Sequence, residues 1–393
     1  MSAALHPENP EAVADAVRDA AARAEPLEVR GFGSKRALGR GVQNGTPLCL
    51  DRLDALHLYE PDEMVLSVGA GTPLSRIEAL LAGQRQRLAF APPDWRPLLG
   101  SDAVEQSIGG IVAANLSGSR RLTAGAARDH LIGFCAVNGR GELFKSGGRV
   151  VKNVTGYDLS KLMAGSFGTL AVLTTVTLRV VPLPEYTATL ALPGVDAEAA
   201  VRLFALAMAG SYEVTAAAWL PADLAPAVGL QGPVALMSLE GLEVSVQDRA
   251  ARLRKVLGMV GEWHAGAASA ALWRALGDGA PLRTRPDLAL WRVSVPPSAG
   301  TRLLAAVPGA RGWLDWAGGL VWLEVADVGD ASASLIRTCV AHSGGHATLI
   351  RASITTRERI PVFEPLSPAL AALAGRLRAS FDPAGILNPG RMT

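Results

Sequence analysis

The chain has 393 residues, 49% of them hydrophobic, with 38 basic against 36 acidic side chains and a formal net charge of +2. That is enough apolar material for two cores, with too even a charge balance for electrostatic capture of nucleic acid, no apolar run near the ~20 residues of a membrane span, and no basic-then-apolar N-terminus of the secretory kind. Cys49, Cys135 and Cys339 stand far apart with no CxxC, which argues against zinc, an Fe–S cluster or any other metal held by this chain alone and fits a reduced, cytoplasmic setting.

Residues 11–24 (EAVADAVRDAAARA) place Val13, Ala14, Val17, Ala21 and Ala24 on one helical face. After Pro26, Leu27-Glu28-Val29 reads as a short strand that enters the loop RGFGSK (30–35). Residues 63–71 form another strand, with Thr72 as the expected N-cap and Pro73 at the first helical position. Leu74, Ile77, Leu80 and Leu81 then give amphipathic spacing, and 87–94 (RLAFAPPD) reads as a strand running into a turn. The segment 107–121 (SIGGIVAANLSGSRR) sets glycines among small and hydroxyl side chains. Residues 131–145 carry a hairpin signal around Asn138-Gly139-Arg140-Gly141, and 171–182 (AVLTTVTLRVVP) is the strongest strand signal in the chain. Pro182 and Pro184 mark a boundary. Beyond them, strands such as WRVSV, LVWLEV and ATLIRA alternate with Ala-rich helices, the pattern of an antiparallel sheet covered by helices. Residues 367–392 read as a helix followed by a structured Pro/Gly end.

The loop Arg30-Gly31-Phe32-Gly33-Ser34-Lys35 is not a Rossmann fingerprint. Arg36 stands where the third glycine belongs, and turn residues rather than a helix follow. On its residues alone it is either a plain surface turn or a nest of N–H groups for an anion such as pyrophosphate. The 107–121 segment is likewise open between close helix packing and a backbone that must approach a ligand. In HSGGHATLIRA (342–352), His342 and His346 would make a metal pair only on a helix, which Gly344-Gly345 oppose. His346 and Arg351 are five apart on a strand and would face opposite ways unless a bulge intervenes.

Taken together, RGFGSK, SIGGIVAANLSGSRR, KNVTGYDLSKLMAGSFGTL (152–170) and FDPAGILNPGRM (381–392) resemble the vanillyl-alcohol-oxidase-type (PCMH-type) FAD-binding family. Within it they are most similar to the FAD-binding subunits of bacterial glycolate oxidases. The resemblance implies an α+β fold: a PCMH-type FAD-binding domain of two α+β subdomains (1–184), an α+β cap with an antiparallel sheet (185–366), and a helix and tail returning to the flavin domain (367–393). It implies non-covalent FAD, since only His130 stands near the turns where relatives attach the ring. The implied cofactor contacts are residues 30–35, Pro92, Ser107, Gly109, Gly110, Gly118, Gly165, Ser166, Gly168, Thr169, Val172 and Asn388, with Lys152 as a further cation. Phe167 stands where many relatives have an acidic residue.

The same resemblance implies a subunit of a complex that oxidises glycolate or a similar short 2-hydroxy acid. Its partners would be a paralogous FAD-linked subunit and an Fe–S subunit, through which any contact with the inner face of the membrane would be made. The HxGDGNxH-like motif of catalytic relatives is missing, leaving His346 and Arg391 as candidate catalytic groups. The alternative is an electron-transfer or architectural flavoprotein with no substrate chemistry of its own.

Overall fold

The computed structural model describes residues 3–42, 44–148 and 157–392. The first helix, α1 (Pro10–Arg23), starts where the Asn9 side chain accepts the Ala12 N–H at 2.8 Å, with Pro10 in the first turn. It buries Val13, Ala14, Val17 and Ala20; Ala24 instead ends it in the left-handed region at φ 52°. β1 (Leu27–Arg30) pairs in parallel with β2 (Thr46–Cys49). The C-terminal tail flanks β1, with Leu27 N–H donating to Ile386 and Asn388 N–H donating back to Leu27.

A five-stranded antiparallel sheet runs in the order β3 (Leu56–Glu60), β4 (Val65–Gly69), β8 (Ala171–Arg179), β6 (Leu131–Asn138), β7 (Leu143–Gly147). The Val/Thr-rich β8 occupies its centre, where β-branched side chains pack on both sides. The β6–β7 pair is the hairpin marked by Asn138-Gly139. Helix α2 (Leu74–Ala82) begins one residue later than its residues imply. Pro73 is the cap, and the Thr72 hydroxyl turns back to donate to Gly69 O at 2.8 Å instead of capping the helix. The expected strand 87–94 shrinks to β5 (Gln86–Arg87) against β9 (Val181–Pro182), because its apolar residues Leu88, Ala89 and Phe90 are spent on irregular backbone in the core. Helix α3 (Ile108–Ala113) carries the double glycine.

The second sheet has eight antiparallel strands. Their order is β13 (Glu262–Ala265), β10 (Tyr186–Pro193), β12 (Val234–Gly241), β11 (Val214–Leu220), β15 (Arg311–Asp315), β16 (Leu320–Val325), β14 (Ala289–Ser294), β17 (His346–Arg351). One face, with Trp291, Val293 and Leu323, is covered by the helices 197–209, 243–257, 297–306 and 333–343. The other, with Leu290, Trp313 and Trp322, shares a core with Trp95, Leu98 and Ile111 of the first half. Trp95 meets Trp322 edge to face at 5.6 Å. The functional cleft lies beside that shared core.

Candidate functional site

Three short segments meet around one small cleft, whose walls include Arg30, Gly31, Ser107, Gly109, Gly110, Ser166 and Gly168. The expected glycine-bearing loops are therefore neighbours in space. The cleft's apolar lining, Leu50, Ala70, Ala113, Ala171 and Leu173, has no signal in the sequence beyond strand and helix periodicity.

The first wall is the loop leaving β1. Among the described residues, the backbone N–H groups of Phe32, Gly33, Ser34 and Lys35 have no acceptor. Four successive donors without an acceptor are what an anion-binding loop offers. Lys35 reinforces it: its ammonium donates to Ser34 Oγ at 3.0 Å and Gln106 Oε1 at 2.9 Å, and burial pushes its pKa down to about 7. Arg30 is already committed. It donates to Cys49 Sγ at 3.3 Å and to Glu28, which also takes Arg36 at 2.6 Å.

The second wall is the start of α3. Ser107 Oγ caps it by accepting the Gly110 N–H at 3.3 Å. The two glycines do different work. A Cβ on Gly109 would lie 2.7 Å from Ala70 O, whereas one on Gly110 meets Ser107 Oγ at 3.1 Å and otherwise only the edge of Lys35. Gly109 serves close packing and Gly110 keeps the cleft open.

The third wall is the turn 165–169, which runs through φ values of 90° at Gly165, 52° at Phe167 and 69° at Gly168. Phe167 is held in that unfavourable region by its N–H bond to Ala113 O at 2.9 Å and by ring packing on Phe363. Thr169 is buried, its hydroxyl donating to Ser166 O at 2.7 Å. Asn388 ties the walls together. Its amide oxygen accepts the Val29 N–H at 2.8 Å, and its amide nitrogen donates to Phe167 O at 2.8 Å and Val29 O at 3.3 Å. The expected contact residue is thus a clip between β1 and the turn, its side chain fully occupied by backbone.

Other expected positions fall elsewhere. Pro92 and Gly118 line a larger cavity between the two sheets, beside Arg87, Arg120 and Glu240. The Val172 side chain points into the core under α1, leaving Ala171 and Leu173 to face the cleft. Lys152 lies outside the described residues. Arg391 is buried, donates to Lys35 O at 2.7 Å, and has its pKa lowered to about 10 by burial; it braces the first loop. His342 ends a helix and bonds Thr338 O, while His346 starts β17, so the two share no helical face.

The parity expected for His346 and Arg351 is overturned by a bulge. His346 pairs with Ser294 and Arg351 with Leu290, four residues apart on β14 and hence on one face, because the register shifts between Leu290 and Trp291. They still do not form a base-and-clamp pair. Arg351 is locked to Glu324 at 2.8 Å and to the carbonyls of Leu98, Leu282, Arg285 and Leu288. His346 lies out on the rim, its pKa held below the usual histidine range by loss of surrounding water and by Arg292 and Arg121.

The donor set of the first loop suits a pyrophosphate, and a glycine-floored apolar cleft lies beside it. Residues 1–147 match the family model described as FAD binding domain. The solved structure of p-cresol methylhydroxylase with substrate bound aligns at a TM-score of 0.70 and 15% identity over 100% of this chain and 88% of that one, a shared fold. Over 388 residues the chain is 34% identical to the glycolate oxidase subunit GlcE of Escherichia coli (strain K12), covering 97% of each. Over 166 residues it is 32% identical to the glycolate oxidase subunit GlcD of Bacillus subtilis (strain 168), covering 42% of this chain and 34% of that one. The family model and the sequence relatives define an FAD-linked oxidoreductase, in a fold shared with p-cresol methylhydroxylase. The chain belongs to the family of the glycolate oxidase subunit GlcE.

Proposed function

We propose that this chain is the FAD-binding subunit of a complex that oxidises glycolate or a closely similar 2-hydroxy acid. The end-to-end likeness to GlcE carries the reading. The chain divides accordingly into a flavin domain (1–184), a cap (185–366) and a returning tail (367–393). Bound FAD supplies the hydride or electron acceptor. The chain's own residues hold it: the N–H groups of residues 32–35 and the Lys35 ammonium take the pyrophosphate, and Gly110 leaves room for the rest. Loop 30–35, Ser107 and the turn 165–169 set its position, braced by Asn388 and Arg391. The GlcD likeness supports a paralogous flavoprotein as partner, and an Fe–S subunit takes the electrons onward, since no cysteine pair of this chain is spaced to hold a cluster.

The complex divides its labour: this subunit turns substrate over slowly by itself. His346 on the rim and Arg391 bracing a loop give it no assembled base next to the cleft. Stopped-flow reduction of the lone flavin-loaded chain by glycolate is expected to run far below turnover of the full complex. Reduction at the turnover rate would make this chain the catalytic flavoprotein.

FAD is held without a covalent bond. Among the described residues the cleft lining contains no histidine, cysteine or tyrosine, and His130 is buried against Phe90 with its Nε2 bonded to Ala124 O at 2.6 Å. Acid precipitation is expected to release the yellow chromophore; colour retained in the pellet overturns this.

Lys35 gives FAD binding a pH signature. Its free pKa near 7 rises when a pyrophosphate sits beside it, so binding takes up a proton above that pH. Affinity should be flat below pH 7 and fall as pH rises above it, by at most about tenfold per unit. Titrations of apoprotein with FAD across this range should show the slope in wild type and lose it in Lys35→Met.

A further inference from the structure

At the junction of the two halves, two arginines converge on one indole. The Cζ of Arg121, just beyond Gly118, lies 5.2 Å from the Trp316 ring centroid, and that of Arg292, on β14, lies 4.7 Å from it. Among the described residues neither forms an ion pair. Arg121 has one hydrogen bond, to Ser117 Oγ at 3.0 Å, and the Arg292 Nε is buried with no partner at all. His346 adds a third basic group to the same neighbourhood. The nearby carboxylate, Asp315, offsets Arg292 only in part and forms an ion pair with neither arginine among the described residues. Its oxygens accept the Ser119 hydroxyl at 2.7 Å and the Trp316 N–H at 2.8 Å.

Two other buried arginines each have a carboxylate partner, Arg120 with Glu240 and Arg351 with Glu324, while buried Arg391 is held by a backbone carbonyl. Two guanidiniums held near one ring, with Asp315 and Asp129 as partial counter-charges and no ion pair among the described residues, repel each other in a partly desolvated site, and a further anion relieves the arrangement. Backbone strain marks the same corner. Trp316 and Ala317 are consecutive non-glycine residues in the left-handed region, at φ 51° and 56°, fixing the indole that orients both arginines.

We propose that Arg121 and Arg292, flanking Trp316 between the flavin domain and the cap, form a binding site for a small organic carboxylate. The planar forks supply paired donors matched to a carboxylate. The pKa of Asp315 is raised to about 6 by burial, and that of Arg292 is lowered to about 9 by desolvation and by Arg121, shifts that their mutual attraction only partly offsets. The choice of a 2-hydroxy acid as the carboxylate rests on the functional reading above; the anion site itself does not. It gives a subunit without an evident base a means of holding substrate.

The test is calorimetric titration of the full flavin-loaded chain with glycolate and with glycolamide, its neutral isostere. Glycolate should bind at least about tenfold more tightly, the scale of a charge-assisted pair of hydrogen bonds. Arg292→Met and Arg121→Met should each weaken glycolate by about tenfold or more while flavin content and thermal midpoint hold, with Arg292→Lys falling between them and wild type. Equal affinity for glycolamide, unchanged affinity in the methionine variants, or no glycolate binding to wild type overturns the site. The wild-type comparison needs no variant to fold. Flavin content, measured separately, tests the cofactor reading: a flavin-free chain that still prefers glycolate keeps the anion site and removes the flavin.

Discussion

Gly110→Val is expected to give a folded protein that no longer holds FAD. Gly110 lies in α3 with ordinary helical φ, so a side chain there creates no backbone strain, and valine is a better helix former than glycine. The new Cβ meets only Ser107 Oγ at 3.1 Å, which can rotate, and its two methyls then project into the cleft. They occupy space that the cofactor needs, and the flavin-to-protein absorbance ratio should fall to near zero while the thermal midpoint stays near wild type. Gly109→Ala, one residue earlier, should do the reverse. Its Cβ would lie 2.7 Å from the Ala70 carbonyl oxygen and methyl, an overpacking that costs about 1–3 kcal/mol of stability. Full flavin occupancy in Gly110→Val would show that α3 does not border the cofactor.

Arg351→Ala is expected to cost about 3–5 kcal/mol, because it takes the closer of two arginine partners from a buried carboxylate. Glu324 is 1% exposed, and Arg351 is its closer partner at 2.8 Å; Arg311 reaches it at 3.4 Å. The same guanidinium joins β17 to Leu98 O of the first half, so its loss also loosens the contact between the two sheets. Burial already raises the Glu324 pKa above the ordinary value. Without Arg351 it rises further, so the folded variant holds a proton that the unfolded chain has lost. The deficit is then largest near neutral pH and shrinks as pH falls toward the unfolded carboxyl value. Chemical denaturation of Arg351→Ala, and of the double variant with Glu324→Gln, should show partial recovery in the double. A loss below about 1 kcal/mol would mean the pair is replaceable by water.

These two residues show how far the chain can be read without its fold. Glycine pairs at 109–110 and 165–168 point to backbone approach, and the segments do meet at one cleft. Which glycine faces the cavity is not legible. Neighbours on a helix are turned by about 100°, so one sees Ala70 and the other open space. Arg351 in a strand-like run looks no different from Arg292 in another, yet one is locked by Glu324 and four carbonyls while the other has no ion-pair partner among the described residues. The bulge that puts His346 and Arg351 on one face arises from pairing with β14, which no local pattern in 346–351 encodes.

By itself the sequence determined what depends on neighbours along the chain. Helix α1 follows from Asn9, Pro10 and apolar spacing, the β6–β7 hairpin from Asn138-Gly139, and the central strand β8 from its Val/Thr run. It also determined the order of the glycine loops, on which the likeness to the flavin family rests. Only the tertiary structure decided which groups share a cleft and which charges find partners. Asn388 reaches Val29 across 359 residues, and Trp316 gathers Arg121 and Arg292 from different sheets' surroundings. The physical reason is that hydrogen bonds and desolvation act over a few ångströms in space, and the strand pairings that set those distances are cooperative and non-local.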